Sequence, residues 1–218
     1  MDGALILLGV FAVLGYLIGS VNFAVLVAKK HGVDILKEGS GNPGATNVKR
    51  VLGKGPGNLV FGLDVLKGAV GTGLCLVLVK FIDVPNATEI VFRLSIAGFA
   101  GTLLGHCFSC FLKFKGGKGV ASTIGGLLVL LPIPILIGAI LWLTAFALTR
   151  YVSVASLLLG VSLPLSCWML PLFTSLKFKF SPAEFWFAAA IAAFNIWTHR
   201  SNIGRLLNGT ENRFVKKA

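Results

Sequence analysis

The sequence predicts an all-α integral membrane protein with seven transmembrane helices and its N-terminus outside. Three observations favour this fold class. The 218 residues are 56% hydrophobic and 13% charged, whereas soluble domains carry about 25% charged residues. The apolar runs are long enough for helices of about 20 residues to cross a bilayer, and they lack the alternating pattern of barrel strands. Most lysines and arginines lie in the loops between these runs.

The apolar runs predict seven spans in a single domain, residues 1–218. In chain order the expected spans are Ala4–Ala28, Asn58–Phe81, Ile90–Leu112, Val120–Leu131, Ile135–Thr149, Val154–Phe173 and Ala183–Trp197. The first is expected to be a retained helix, because it lacks the basic leader and cleavage site of a secretory signal. Pro85-Asn86 marks a turn after the second span. Pro132 and Pro134 interrupt the fourth and fifth spans, which could instead form a re-entrant pair.

The distribution of basic residues predicts the orientation. Seven crossings place four basic segments on one side of the membrane: residues 29–57, residues 113–119, Arg150 and the tail at 199–218. They hold fifteen of the twenty lysines and arginines, although Lys177 and Lys179 fall on the other side. Cytoplasmic loops are enriched in such residues, so this side is predicted to be cytoplasmic. The net charge of +12 then fits lipid headgroups or phosphorylated ligands better than nucleic acid.

The loop at residues 113–119 reads Lys-Phe-Lys-Gly-Gly-Lys-Gly, three lysines with three glycines. Glycine leaves backbone N–H groups accessible beside the lysine ammonium groups, and a helix is expected to begin just after the loop. Such an arrangement can bind an anion, for example phosphate. A basic turn at the lipid headgroups would also be rich in lysine, but it would not require the glycines.

A second polar stretch, residues 39–50, reads Gly-Ser-Gly-Asn-Pro-Gly-Ala-Thr-Asn-Val-Lys-Arg. Its hydroxyl, carboxamide and guanidinium groups suit a phosphate or a small polyol. Pro43-Gly44 could be only a turn, and Thr46 or Asn47 only a helix N-cap. A turn does not require so many polar side chains in one loop, and we therefore favour a binding role.

A third polar stretch, residues 195–211, begins where the last span ends. In a continuous helix Asn195, His199 and Asn202 would lie within about 60° of one another, and Arg205 would extend the stripe. The stripe could be only an interfacial anchor, but a histidine beside asparagine and arginine is better explained by an anionic ligand. Further polar residues are expected at the same membrane face: Arg150, Ser153 and Ser156.

Two ionisable residues, Asp64 and Lys67, fall inside the second span on one helical face. Charges inside a membrane segment are usually functional or paired, and mutual neutralisation is an equal alternative here. Cys107 and Cys110 have the spacing of a metal or redox motif, but no second pair completes it, which favours helix packing. We expect no metal and no cofactor, because the eight acidic residues form no cluster suited to Mg²⁺.

Together the three stretches resemble the PlsY family, the bacterial membrane glycerol-3-phosphate acyltransferases that use acyl phosphate as donor. The resemblance rests on residues 40–50, on residues 114–121 with Gly105-His106 upstream, and on residues 199–211. Ser109 and Thr198 depart from the residues usual in the family. The resemblance implies seven helices and a cytoplasm-facing active site. It also implies transfer of a fatty acyl chain to the 1-hydroxyl of sn-glycerol 3-phosphate, giving lysophosphatidic acid and phosphate, the first step of phospholipid biosynthesis.

The resemblance also implies roles for individual residues. Catalytic roles are expected for His199, Ser40 and Lys118. Substrate contacts are expected from Asn42, Thr46, Asn47, Arg50, Gly116, Gly117, Gly119, Ser153, Ser156, Asn202, Arg205 and Glu211. Because the sequence lacks a serine elbow motif and no cysteine falls in these stretches, we expect direct attack without an acyl-enzyme.

A transporter or channel for a phosphorylated solute is the alternative function, since it would also show basic loops and broken helices. It would require polar residues on both membrane faces, whereas here they crowd one face. The expected partners are acyl phosphate, glycerol 3-phosphate and the lipid bilayer, without nucleic acid. We expect a monomer in the bacterial cytoplasmic (inner) membrane that crosses it several times.

Overall fold

A computed structural model describes residues 2–81, 87–173 and 179–214, and the regular structure of these residues is helical. The chain divides into two compact units, Met1–Leu130 and Leu131–Ala218. Each unit has its own buried apolar residues, such as Val60 and Leu94 in the first and Leu159 and Leu163 in the second. The expectation of a single domain remains a prediction.

The described part of the first unit contains six α-helices. They are α1 Asp2–Ser20, α2 Phe23–Lys30, α3 Ala45–Leu52, α4 Lys54–Leu78, α5 Ala87–Cys107 and α6 Val120–Leu130. Short 3₁₀ turns follow at Val79–Phe81 and Cys110–Leu112. α5 packs against α1 and α4, while α4 also packs against α6 and the short α3. The loop at 113–119 therefore connects two helices that both contact α4.

Glycine allows α1 and α5 to pack backbone against backbone. A Cβ atom on Gly15 of α1 would overlap the carbonyl group of Gly98 on α5. Gly101 and Gly105 of α5 lie equally close to the backbone of α1. Because lipid chains are as apolar as the helices, association inside a membrane depends on such close contact, and small residues permit it.

In the second unit the described residues form α7 Pro132–Thr149, α8 Val152–Phe173, α9 Pro182–Thr198 and α10 Arg200–Leu207. α8 packs against both α7 and α9. A capping box starts α9: the Ser181 side chain accepts from the Glu184 N–H, and the Glu184 carboxylate accepts from the Ser181 N–H. The chain beyond α10 returns to α7, because the Phe214 N–H donates to the Arg150 carbonyl at 3.0 Å.

Five helical segments within the described ranges are long and apolar enough to cross a membrane: Gly3–Lys30, Lys54–Phe81, Ile90–Cys107, Pro132–Thr149 and Val152–Leu172. They correspond to the first, second, third, fifth and sixth predicted spans. The other two predicted spans correspond to α6, with 11 residues, and α9, with 17. At about 1.5 Å per residue, α6 would cover only roughly half of an apolar core of about 30 Å. The count of seven crossings and the orientation of the N-terminus therefore stay predictions.

Two predicted spans were wrong in detail. The first is interrupted at Val21-Asn22, where the Asn22 side chain caps α2 by accepting from the Val25 N–H at 2.9 Å. The third predicted span, Ile90–Leu112, is α-helical only as far as Cys107, and a separate 3₁₀ turn follows at Cys110–Leu112. The predicted turn at Pro85-Asn86 and Lys177 lie outside the described residues.

Candidate active site

The stretch at residues 39–44 forms a loop that the following helix holds in shape. Asn47, on α3, accepts from the Ser40 N–H through Oδ1 at 2.9 Å. Its Nδ2 donates to the carbonyls of Glu38 at 2.9 Å and Ile35 at 3.2 Å. The carboxamide is 1% exposed and is used to close the loop. A direct contact between Asn47 and a substrate remains a prediction.

The other predicted ligands of this stretch are more accessible. Ser40 is exposed, whereas Asn42, Thr46 and Arg50 are half-buried. Thr46 and Arg50 are four residues apart on α3 and therefore lie on one face of that helix. Gly41 has a φ of +67°, a backbone conformation that favours glycine. The loop thus offers a hydroxyl, a carboxamide and a guanidinium group within a short, sharply turned segment.

The interruption between α1 and α2 connects the two polar stretches of the first unit. On one side the Asn22 Nδ2 donates to the Pro43 carbonyl at 3.2 Å. On the other the buried Ser109 hydroxyl donates to the Ser20 carbonyl at 2.6 Å. An interrupted helix leaves backbone carbonyls without partners inside the helix. Here the Ser20 carbonyl at the end of α1 accepts from Ser109 and thereby anchors the segment that precedes the 113–119 loop.

Backbone hydrogen bonds hold the 113–119 loop against the end of α5. The Phe114 N–H donates to the Ser109 carbonyl at 2.9 Å, and the Gly117 N–H donates to the His106 carbonyl at 3.1 Å. α6 begins directly after the loop. The loop lysines differ in exposure: Lys113 and Lys115 are exposed and Lys118 is half-buried.

The three glycines of this loop are required by close packing. A Cβ on Gly116 would overlap the carbonyl group of His106, and one on Gly117 would overlap the imidazole of the same residue. Gly119 has a φ of +81° and lies against Leu103. A methyl group at any of these positions would push the loop away from α5. The structure therefore explains the glycines by packing, and their contact with a phosphate remains a prediction.

In the second unit His199 lies at the junction of α9 and α10, where φ of −94° and ψ of 6° interrupt the helix assumed for residues 195–205. The residue is 3% exposed. Its Nδ1 lies 2.9 Å from the Asn195 carbonyl oxygen. Because a carbonyl can only accept, Nδ1 carries the hydrogen, and Nε2 is the basic nitrogen of the neutral ring.

Glu211 organises two predicted ligands on α10. The Asn202 Nδ2 donates to its Oε1 at 2.6 Å, and the Arg205 Nε donates to its Oε2 at 2.7 Å. The Glu211 side chain is 4% exposed, and the chain reaches it through a turn at Gly209 with a φ of +68°. Both carboxylate oxygens are thus engaged with side chains of the same unit. This geometry supports a positioning role, and a direct substrate contact by Glu211 remains a prediction.

Opposing effects set the pKa of Glu211. Burial raises the pKa, but the hydrogen bonds donated by Asn202 and Arg205, together with the positive charge of Arg205, lower it more. The resulting pKa lies below the ordinary value, so the carboxylate is charged at neutral pH. The buried Ser153 hydroxyl forms no hydrogen bond with the described residues.

Ser156 supports the histidine from α8. Its hydroxyl accepts from the Trp142 Nε1 at 3.2 Å, and its carbonyl accepts from the Asn195 Nδ2 at 2.7 Å. Asn195 in turn supplies the carbonyl that faces the His199 Nδ1. Ser156 is 1% exposed, so the structure supports its role in holding Asn195. A direct contact with a substrate stays a prediction.

Sequence reasoning missed three residues that shape these sites. Asn22 carried a usable signal, because an asparagine inside an apolar run is a frequent helix cap. Ser109 departs from the residue usual in the family, and this departure does not reveal that its hydroxyl joins the loop region to α1. Trp142 carried no signal, since its indole partner lies fourteen residues away on the next helix.

Comparison with known proteins identifies the family. The sequence pattern of the family "Glycerol-3-phosphate acyltransferase" matches residues 9–209. Proteins named glycerol-3-phosphate acyltransferase from Shouchella clausii and Aquifex aeolicus are 42% and 40% identical to the chain. Both alignments cover 93% of this chain, with 94% of the first relative and 96% of the second.

Solved structures are similar as well. Two crystal structures of PlsY, described as an integral membrane glycerol 3-phosphate acyltransferase, each cover 98% of this chain and 96% of their own. The glycerol 3-phosphate form has a TM-score of 0.76 at 38% identity, and the lysophosphatidic acid form has 0.73 at 39%. The chain belongs to the glycerol-3-phosphate acyltransferase family and is an integral membrane acyltransferase.

Proposed function

We propose that this enzyme transfers a fatty acyl group from acyl phosphate to the 1-hydroxyl of sn-glycerol 3-phosphate. The products are lysophosphatidic acid and inorganic phosphate, and the reaction is the first step of phospholipid biosynthesis. The acceptor and the lipid product agree with the two forms for which the similar PlsY structures are named. The observation that carries the proposal is the cluster on α10, where Glu211 holds Asn202 and Arg205 just after the basic histidine His199.

Both substrates carry a phosphate group, so the enzyme needs two sets of donors. In the first unit we assign phosphate binding to residues 116–119 and Arg50. In the second unit we assign it to Asn202 and Arg205. Backbone N–H, ammonium and guanidinium groups are all good phosphate donors, and the fork of arginine can bind two phosphate oxygens at once. Among the remaining predicted contacts, Glu211 would hold Asn202 and Arg205, and Ser156 would hold Asn195 beside His199.

Acyl phosphate is already activated, and the chain therefore needs no acyl-enzyme. The oxygen of the 1-hydroxyl bonds to the acyl carbon, the bond from that carbon to the phosphate oxygen breaks, and phosphate leaves with the electron pair. We assign the proton of the hydroxyl to the His199 Nε2. Ser40 and Lys118 are assigned as donors that stabilise the negative charge developing on the acyl carbonyl and the leaving phosphate.

The topology that we propose for this reaction has seven crossings, with the N-terminus outside and the polar loops at the cytoplasmic face of the bacterial inner membrane. The bias of lysine and arginine toward those loops supports it. Glycerol 3-phosphate is charged and cannot enter lipid, whereas the fatty chain of the donor can stay in the bilayer beside the helices. One chain supplies all the assigned residues, and we therefore propose a monomer that needs no cofactor.

The proposal is tested with purified full-length protein given acyl phosphate and glycerol 3-phosphate. We expect inorganic phosphate and lysophosphatidic acid in equal amounts. Phosphate without the lipid would indicate hydrolysis, and the absence of both products would contradict the proposal.

Two histidine variants test the assignment of the base. His199→Ala should lower kcat by about 100- to 10,000-fold, the usual effect of a general base. His31→Ala is the matched control, because His31 is exposed and, among the described residues, its Nδ1 contacts the Val27 carbonyl of the preceding helix; its kinetics should stay unchanged. A His199→Ala enzyme with near-normal kcat and a raised KM would show that the base assignment is wrong.

Direct attack makes a separate prediction. Protein incubated with acyl phosphate alone should keep its unmodified mass. A fatty acyl adduct found by mass spectrometry, for example on Ser40, would replace direct attack by a two-step mechanism.

A further inference from the structure

Three ionisable side chains form a buried cluster in the first unit. The Lys67 Nζ lies 2.9 Å from the Asp64 Oδ1, and the His106 Nδ1 lies 3.7 Å from the same oxygen. The three side chains are only 3% to 4% exposed. Ionisable groups in such surroundings are costly unless they are paired or have a function. The acyl-transfer mechanism above uses none of them.

One end of the cluster contacts the glycine loop. The His106 carbonyl accepts from the Gly117 N–H at 3.1 Å. The imidazole Nε2 of the same residue fills the space that a Cβ on Gly117 would need. Gly116 lies as closely against the backbone of His106 and Cys107. The position of this imidazole therefore determines how closely the loop approaches α5.

The other end of the cluster contacts the break between α1 and α2. The Lys67 Nζ donates to the Val21 carbonyl at 2.7 Å and lies 5.5 Å from the centre of the Phe23 ring. The neighbouring Asn22 donates to the Pro43 carbonyl, which belongs to the polar stretch at residues 39–50. A continuous path of contacts thus joins the two polar stretches of this unit, in the order Pro43, Asn22, Val21, Lys67, Asp64, His106 and Gly117.

We propose that Asp64, Lys67 and His106 are positioning residues for acyl transfer, which fix the glycine loop relative to the turn at Pro43. They act through the backbone and do not touch a substrate. The proposal rests on the phosphate-binding role proposed for residues 116–119. A pair that served only to neutralise charge would need neither the Val21 carbonyl nor the contact between the imidazole and Gly117.

The double variant Asp64→Asn/Lys67→Met separates the two roles, because it removes both charges and keeps side chains of similar size. If the pair only neutralises charge, the double variant will have the kinetics of the unmodified enzyme, and that result would overturn the proposal. If the pair positions the loop, KM for at least one phosphorylated substrate should rise about 10- to 100-fold, as a small misplacement can cause. Thr72→Val is the matched control on α4: its buried hydroxyl donates only to the Gly68 carbonyl, at 2.7 Å, and its kinetics should not change.

Hydrogen exchange gives a readout that does not depend on turnover. In the double variant the backbone amides of residues 106–119 should exchange faster, while those of α8 should keep their rates. Equal exchange in the loop of both proteins would contradict the proposal, because positioning requires the loop to lose a support.

A second pair of variants decides the question should the double variant fail to fold. The amide nitrogen of Gln can reach the place of the imidazole Nε2, whereas Ala leaves Gly117 without support. His106→Gln should therefore retain clearly more activity than His106→Ala. Equal kinetics of these two variants would overturn the proposal.

Lys118→Met separates this proposal from the assignment of the phosphate site. If Lys118→Met keeps unmodified kcat and KM values for both substrates, the loop assignment itself is wrong. If Lys118→Met is impaired while Asp64→Asn/Lys67→Met is normal, the loop assignment stands and only the positioning proposal fails.

Discussion

Replacing Glu211 by glutamine tests whether its carboxylate arranges the cluster on α10. In the native protein two donors, the Asn202 Nδ2 and the Arg205 Nε, each have their own carboxylate oxygen at 2.6 and 2.7 Å. Glutamine has one oxygen and one NH₂ group, so one of the two donors would face another donor. We therefore expect Asn202 and Arg205 to lose their present orientation together.

The expected size of the effect follows from the burial of the two donors. Asn202 is buried, and loss of its hydrogen bond to a charged acceptor costs about 1.5–3 kcal/mol. The Arg205 side chain is 37% exposed, and solvent reduces the worth of its ion pair to at most about 1 kcal/mol. If a total of about 2–4 kcal/mol is lost from the transition state, kcat/KM falls about 30- to 1,000-fold, since 1.36 kcal/mol corresponds to a factor of ten.

The assay is release of inorganic phosphate with both substrates varied, and thermal unfolding is measured in parallel. Glu184→Gln is the matched control, because Glu184 also accepts two hydrogen bonds, from the N–H and the hydroxyl of Ser181 at 2.7 and 2.8 Å, but in an exposed position. Its kcat/KM should stay near that of the unmodified enzyme. A Glu211→Gln enzyme with kcat/KM within about threefold of the unmodified value would refute the reasoning.

Further predictions concern pH and packing. Because the pKa of Glu211 is lowered by folding, its stabilising effect is complete above the ordinary pKa and is lost as pH falls through the lower folded-state value. The thermal midpoint of Glu211→Gln should therefore fall less on acidification than that of the unmodified protein, and parallel curves would contradict this. Gly15→Ala should destabilise α1 against α5 by about 1–3 kcal/mol, whereas Gly9→Ala on the same helix, with no atom within 4 Å of a new Cβ, should not; equal thermal midpoints would refute the packing argument. Asn47→Ala removes three hydrogen bonds and should lower stability by about 2–4 kcal/mol, and an unchanged midpoint would show that the loop does not depend on it.

The long helices could be predicted because apolar length is a local property of the sequence. The span predicted as Val154–Phe173 begins two residues after the start of α8 and ends at the same residue. Apolar length does not predict the interruption at Val21-Asn22: Asn22 is a local cap signal, but the donors to the carbonyls around the break are distant in sequence. Lys67 is 46 residues from the carbonyl that it contacts, and Ser109 is 89 residues from Ser20.

The polar stretches could be found from their composition, but the roles within them could not be separated. Composition shows which groups are able to bind phosphate, and it does not show which of them are already used inside the protein. Asn47 and Glu211 were both expected to contact substrates, and both have their polar atoms engaged with neighbouring residues. Their partners, Ser40, Asn202 and Arg205, are the residues that these interactions place.

Carboxylates in a site for anionic substrates need a physical reason, because each one repels phosphate. A negative charge is compatible with such a site when a cation of the protein already neutralises it, as Arg205 does for Glu211. A lone arginine or lysine loses about 2 kcal/mol of side-chain conformational freedom when a ligand fixes it. A carboxylate that fixes the cation beforehand removes part of that loss from the binding step, which offsets some of the repulsion. On this reasoning Glu211 raises affinity by ordering Arg205, and removing this carboxylate should weaken phosphate binding even though the net positive charge increases.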